Sequence, residues 1–400
     1  MPDWSRRTLL RAGARVGAVG ALGGWWYRTE RPFCRPVRDP LWTFHGEHWA
    51  PQPVSTTDGV LVAEGYSATG GSGYRLALLD RGAGQARWAR ADDGGGFGVP
   101  AVHGSRVYVG TGLDTVRALD VATGADVWTY DPGGVEEYGG GAWGRPLVAD
   151  GRAHVGVSHS DDPDADPADP TQFTHRVVAL DSTDGAEAWA TGVTAQVWTG
   201  PVLVADTLVA GTEDGVLHGL DPTTGEVRWS LDLPGGLRHR PLVVDDGLTL
   251  VTGDGTAVFV DVSGGTIRRT EELLAGATAV ARGGDILYVG GGSGRVVALP
   301  VTPSPDLTTW PVEWTYEAGV RVGALAAGAT GVFVVDQSGH LHRLTDDGER
   351  DARVRLVDRE WDDRCGWRPD RGYVTGAVLD RRALTVASRW WVRSFSVDTV

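Results

Sequence analysis

At 400 residues the chain can bury a large core, and its net charge of −15 excludes the basic surface that nucleic-acid binding requires. All 37 basic residues are Arg, the sequence contains no Lys and no Asn, and Gly occurs 59 times. An acidic chain free of Lys is expected to stay soluble at high salt, and so much Gly among short apolar runs predicts an all-β fold rich in turns.

Residues 1–30 stand apart from the rest. "SRRTLLR" at 5–11 places Arg6 and Arg7 ahead of the modestly apolar run "AGARVGAVGALGGWW". The arrangement resembles a twin-arginine export signal, with a disordered basic leader as the plainer alternative. Arg15 interrupts the run, which disfavours an ordinary spanning helix of about 20 apolar residues. Residues 1–30 are therefore expected to be an export signal or an N-terminal anchor, ahead of a single domain over 31–400.

From residue 39 the sequence is periodic. "DPLWTF" at 39–44 reads as a strand carrying Trp42. "LLDRGAGQARW" at 78–88 follows, and its frame recurs as "ALDVATGADVW" at 118–128, "ALDSTDGAEAW" at 179–189 and "GLDPTTGEVRW" at 219–229. Each copy predicts a hairpin: an apolar strand ends at Leu-Asp, a polar turn closes on Gly, and a second strand bears the Trp. Asp bonds its own backbone in such turns, and Gly accepts the positive φ they need. Eight β-branched strands with a Gly or polar exit precede these segments, from "VLVAEGY" at 60 through "ILYVGGG" at 286 to "LTVASRW" at 384. Four strands in roughly 40–45 residues is the period of a β-propeller blade.

The ends of the array complement each other. The last inner strand, "WVRSFSV" at 391–397, has no Trp strand after it, whereas Trp42 has no blade before it. Residues 39–44 are therefore predicted to supply the outer strand of the blade whose other strands come from roughly 370–398, leaving no open sheet edge. The expected fold is an all-β, eight-bladed β-propeller, with seven blades as the fallback.

The frame Ala118, Asp120, Thr123, Gly124, Trp128 resembles the tryptophan-docking repeat of the pyrroloquinoline-quinone (PQQ)-type propellers. That family includes quinoprotein alcohol dehydrogenases, a lipoprotein of the bacterial outer-membrane assembly machine, and other exported repeat proteins. The resemblance covers about 40–400. It implies that Trp42, Trp88, Trp128, Trp189, Trp229 and Trp314 dock against neighbouring blades. Two blades depart from it: Arg269 takes the Trp position of the fifth, and "HRLTDDGERDARVR" in the seventh is short and has no Trp. Both are expected to be looser parts of the ring.

The family's dehydrogenases carry an adjacent Cys pair and a Ca²⁺ site containing Asn. This chain has neither, so no cofactor is expected and no catalytic residue carries over. Its two cysteines, Cys34 and Cys365, both fall beside the closing blade, as a disulfide or as two free thiols.

Loops entering the innermost strands form one mouth of such a ring, and here they concentrate aromatic and cationic side chains. "FHGEHWAPQP" at 44–53 brings His45, His48 and Trp49, and "VEEYGGGAWGRP" at 135–146 brings Tyr138, Trp143 and Arg145. Trp198, Arg238, His239, Arg240, Arg321 and Trp361 follow in later loops. This composition is enriched at binding hot spots, and a channel plugged by the same Trp residues is the competing reading. No metal site is expected. His45, Glu47 and His48 lack a further ligand, and "SDDPDADPADPTQ" at 160–172 lacks the Gly turn and ligand offsets of a Ca²⁺ loop. "TGGSGY" and "GGGSGR" are turn glycines, not a nucleophile elbow.

The sequence thus predicts an exported, non-catalytic, monomeric platform at the cell surface. It would bind a protein or peptide partner of the cell envelope, with the N-terminal segment as a means of membrane association. The alternative is a PQQ-type oxidoreductase or another small-ligand enzyme using the channel mouth.

Overall fold

In the Asp-x-x-Thr-Gly turns a side chain organises the backbone. Asp120 Oδ1 accepts hydrogen bonds from the N–H of Ala122 (3.1 Å), the N–H of Thr123 (2.9 Å) and the Thr123 hydroxyl (2.8 Å). Asp80 and Asp221 repeat the two backbone bonds. Side-chain donors (Thr123 at Asp120, Arg87 at Asp80, Arg228 at Asp221), followed by the turn N–H groups, hold the three carboxyls below the ordinary carboxylate range. Gly124 then closes its turn at φ +69.

The structure, a computed structural model, describes residues 39–45, 53–64, 74–92, 95–133, 140–162, 164–166, 169–306, 308–356, 359–360, 368–369, 374–380, 383–388 and 391–399. Among these residues the chain forms eight antiparallel four-stranded sheets, the blades of the predicted propeller. Blades 1 to 7 span 53–92, 101–130, 147–192, 202–232, 242–272, 277–317 and 322–355. Blade 8 takes its inner strands from Val374–Asp380, Ala383–Ser388 and Trp391–Ser396, and its outer strand from Trp42–His45. Trp42 lies opposite Ser394 and His45 opposite Trp391, so the front of the chain completes the last blade as the sequence predicts. A small ribbon, Arg359–Glu360 with Arg368–Pro369, falls between blades 7 and 8 in chain order.

Strand residues alternate between the two faces of a blade, and both faces are buried. Leu76 and Leu78 pack with Val107 and Leu119 of blade 2, whereas Ala77 and Leu79 pack with Val392 of blade 8. Among the described residues, most buried apolar side chains fall into eight clusters, each shared by two consecutive blades, and one of them joins blade 8 to blade 1. The core is therefore a series of seams around an axis.

Trp128 shows how a seam is made. Its indole lies over Gly185, the turn glycine of the next blade, so closely that a Cβ there would sit 2.7 Å from Trp128 Cε3. Its Nε1 donates to Ser182 O at 3.1 Å. Trp42 treats Gly84 and Arg81 O in the same way, and Trp88 does so with Gly124 and Val121 O. Trp189 covers Gly225 and donates to Pro222 O, Trp314 covers Gly348 and donates to Asp346 O, and Trp229 covers Gly265. Gly124 is needed twice, for its positive φ and for the approach of the indole.

Sequence alone leaves two seams without a fastening; the structure supplies one from residues outside the repeat frame. Arg269 stands opposite Phe259 at the Trp position of blade 5. In the seam to blade 6, Val301 O, which corresponds to the indole acceptors elsewhere, takes the Thr249 hydroxyl instead. Trp310, from blade 6's own long turn, fills the space at 1% exposure with its ring edge-on to Phe259 at 6.4 Å. In blade 7, Ala352 takes the Trp position, and Arg343 Nη1 reaches the corresponding carbonyl of blade 8, Val397 O, at 3.4 Å.

Candidate functional site

Several innermost strands are entered through a residue followed by Pro, as in "GRP" at 144–146, "TGP" at 199–201 and "HRP" at 239–241. Proline restricts its predecessor to extended or turn backbone and donates no N–H of its own, so it marks the strand entry. The residue before Pro is Val99 in blade 2, Arg145 in blade 3 and Arg240 in blade 5, and all three line a central cavity of about 650 Å³. Blade 4 has Gly200 there, at φ +75, where a Cβ would collide with the Arg145 carbonyl. The cavity runs along the propeller axis, with lining from all eight blades, including Val54 in blade 1 and Ala377 in blade 8. Arg145, Arg238, Arg240, Arg282 and His239 line it, and no Asp or Glu does so among the described residues.

The four arginines are not equivalent. Arg238 forms an ion pair with Glu213, and Arg282 donates to Gly284 O at 2.8 Å and Val243 O at 3.1 Å. Arg145 and Arg240 have no carboxylate partner among the described residues; Arg240 makes one long contact, 3.5 Å to Pro201 O. Burial lowers the Arg145 guanidinium, and burial together with the charge of Arg145 pushes Arg240 down to about 10. Both remain cationic at neutral pH. Burial also pushes the neighbouring His239 imidazole down.

At the rim, Trp143 and Trp198 stack with ring centroids 6.5 Å apart and planes 19° from parallel. Trp143 Nε1 donates to Gly140 O at 2.9 Å, and its ring occupies room left by Gly112 and Gly141, where a Cβ would fall within 2.7 Å of it. Trp198 is 38% exposed, and its Nε1 donates to Glu213 Oε2 at 2.7 Å. The other Glu213 oxygen takes Arg238, so one carboxylate ties together side chains from two successive strand entries. Asp114, itself at φ +62, lies nearby against Gly140, with one oxygen unpartnered. Desolvation, only partly offset by the Gly141 N–H, raises it to about 7.

Of the residues singled out in the sequence, Trp198, Arg238, His239 and Arg240 line the cavity, and Trp143 stacks beside them. Two others do not line it. His45 is exposed on the outermost strand of blade 8, and Arg321 is exposed beside Gly292, before the innermost strand of blade 7. His48, Trp49, Tyr138 and Trp361, like Cys34 and Cys365, lie outside the described residues. Sequence reasoning missed Glu213 and Arg282 and gave Arg145 no more weight than its loop neighbours. The Arg-Pro register at the strand entries is the signal that singles out Arg145 and Arg240. Other histidines serve the blades: His175 meets Ser158 at 2.8 Å, His218 meets Ser230 at 3.0 Å, and His342 lies between Asp336 (3.1 Å) and Tyr316 (2.7 Å).

The sequence model of the family described as outer membrane protein assembly factor BamB matches residues 36–161 and 174–303. No curated protein matches the chain in sequence. Among solved structures, BamB from Moraxella catarrhalis is 20% identical, with a TM-score of 0.65 over 90% of this chain and 100% of that one. Sqt1 from Saccharomyces cerevisiae is 10% identical, with a TM-score of 0.66 over 90% and 100%. The quinohemoprotein alcohol dehydrogenase ADHIIG from Pseudomonas putida HK5 is 13% identical, with a TM-score of 0.66 over 90% and 76%. At these identities the likeness is one of fold.

Proposed function

The chain belongs to the family of outer membrane protein assembly factor BamB, and from that premise we propose that it is an exported, non-catalytic platform binding a protein or extended peptide at the cell envelope. The rim carries this reading. Trp198 is exposed yet fixed, stacked on Trp143 and bonded to the carboxylate that also holds Arg238. An aromatic–Arg patch ordered before its partner arrives loses little side-chain freedom on binding. The six indoles dock blade on blade and keep the rim's spacing fixed. Export rests on Arg6 and Arg7, and membrane association on the segment that follows them; no helix among the described residues is long and apolar enough to cross a membrane. The ring acts as a monomer.

A second reading is a small-ligand enzyme, of PQQ-type oxidoreductase or other chemistry, working in the same channel. The cavity of about 650 Å³ supports it, because that volume is ordinary for a small-molecule site. One experiment separates the two. Wild type, Trp198→Ala and His103→Ala are used to capture partners from native membranes at high salt, His103 being exposed at the far end of its innermost strand. The platform predicts an envelope protein retained by wild type and His103→Ala and lost by Trp198→Ala. Capture unaffected by Trp198→Ala, or stoichiometric Ca²⁺ with a quinone absorbance in the purified chain, sinks it.

A further inference from the structure

Arg145 and Arg240 occupy the same register position, two blades apart; the intervening blade has Gly200 there, packed against the Arg145 backbone, and contributes no side chain at that position. The two guanidiniums face one cavity and repel each other: each loses water, and the charge of Arg145 acts on Arg240. Neither has an ion-pair partner among the described residues, although the chain carries 52 acidic residues. Arginine cannot relieve the cost of burial by shedding its proton, so a half-buried pair of this kind is stabilised chiefly by an anion between them.

We infer that Arg145 and Arg240 form a receiving site for one carboxylate of an extended peptide partner. The inference rests on the platform reading and adds the chemistry the partner presents. The walls select the class. Val54, Val99, Leu242, Val280 and Leu325 share the cavity with the arginines, so the occupant carries apolar groups beside its acidic one. The chain's charge of −15 opposes entry of a polyanion, which leaves a peptide with few charges as the complementary ligand. A planar carboxylate also matches the paired N–H donors of guanidinium groups. Trp198 (38% exposed) and Arg238 (64% exposed) open the cavity to the rim, so peptide held there can lead its acidic group inward.

The test uses the full chain and three apolar hexapeptides of common sequence. One bears its sole carboxylate at the C-terminus, one bears it on a Glu side chain with the C-terminus amidated, and one is uncharged. Binding is followed by indole fluorescence and by thermal melting. At least one acidic peptide should bind saturably and raise Tm while the uncharged one does neither; which acidic peptide binds identifies the source of the carboxylate. Arg145→Gln and Arg240→Gln should each weaken binding about tenfold or more. Each should melt at or above the wild-type temperature, because one of two repelling charges is gone. Equal binding of the uncharged peptide, tighter binding of inorganic phosphate, unchanged affinity in both variants, or a lowered Tm in both overturns the inference. Loss of peptide binding alongside Trp198-dependent capture of an envelope protein defeats this inference alone; peptide binding without such capture defeats the platform reading.

Discussion

Asp114 is the described carboxyl most at odds with its surroundings. It is 5% exposed, and its pKa of about 7 lies above the ordinary carboxylate value of 3.8. The native state therefore keeps a proton that the unfolded state releases, and Asp114 costs stability as pH rises from about 4 to 7. His154 runs the other way. Buried against Trp189 with ring centroids 5.6 Å apart, it titrates near 4 instead of 6.5, mainly through desolvation. The unfolded state takes up that proton first, so stability is lost as pH falls from 6.5 towards 4. The two slopes oppose each other in one window and mask each other in the wild type. Asp114→Asn preserves the left-handed backbone, which Asn tolerates, and removes the charge. It should gain about 1–3 kcal/mol over wild type at pH 8 and nothing at pH 4 in denaturant melts. An equal gain at both pH values would show that the buried charge is not the cause.

At the scale of strands and turns, the seams explain what could be read from the sequence. Trp128 and Gly185 were legible because their frame recurs, and a recurring Trp opposite a recurring turn Gly implies contact between copies. Trp310 was not, since it lies in a turn with no counterpart in other blades. The Thr249 hydroxyl and Arg343 were also hidden, because each serves a carbonyl of the next blade. Trp310→Ala should therefore destabilise the protein as much as Trp128→Ala, by about 3–5 kcal/mol each, measured by equilibrium unfolding. If Trp310→Ala costs no more than Trp198→Ala on the rim, Trp310 is not the missing wedge of its seam. The cavity obeyed the same limit: Arg145 and Arg240 were readable as residues, and only the turn of the ring sets them on one void.

For the whole molecule, the decisive quantity is charge. With −15 spread over one body, self-repulsion opposes compaction until salt screens it. The screening length falls from roughly 30 Å at 0.01 M to about 3 Å at 1 M salt. Tm should therefore climb steadily with NaCl across that range, and a flat profile would show that self-repulsion does not limit stability. The eight-blade count and the closure of the ring were both legible here, since a Trp strand missing at one end and surplus at the other admits a simple topology.

That closure has a mechanical side. Anything tethered to the residues before Leu41 pulls on blade 8 through the short ladder from Trp42 and Ser394 to His45 and Trp391. Force from a membrane or a moving partner would peel this outermost ribbon first and bare the indole of Trp42. Blade 1, which holds that indole through Gly84 and Arg81 O, would share the load, and the other six blades would feel it only after that zipper had opened.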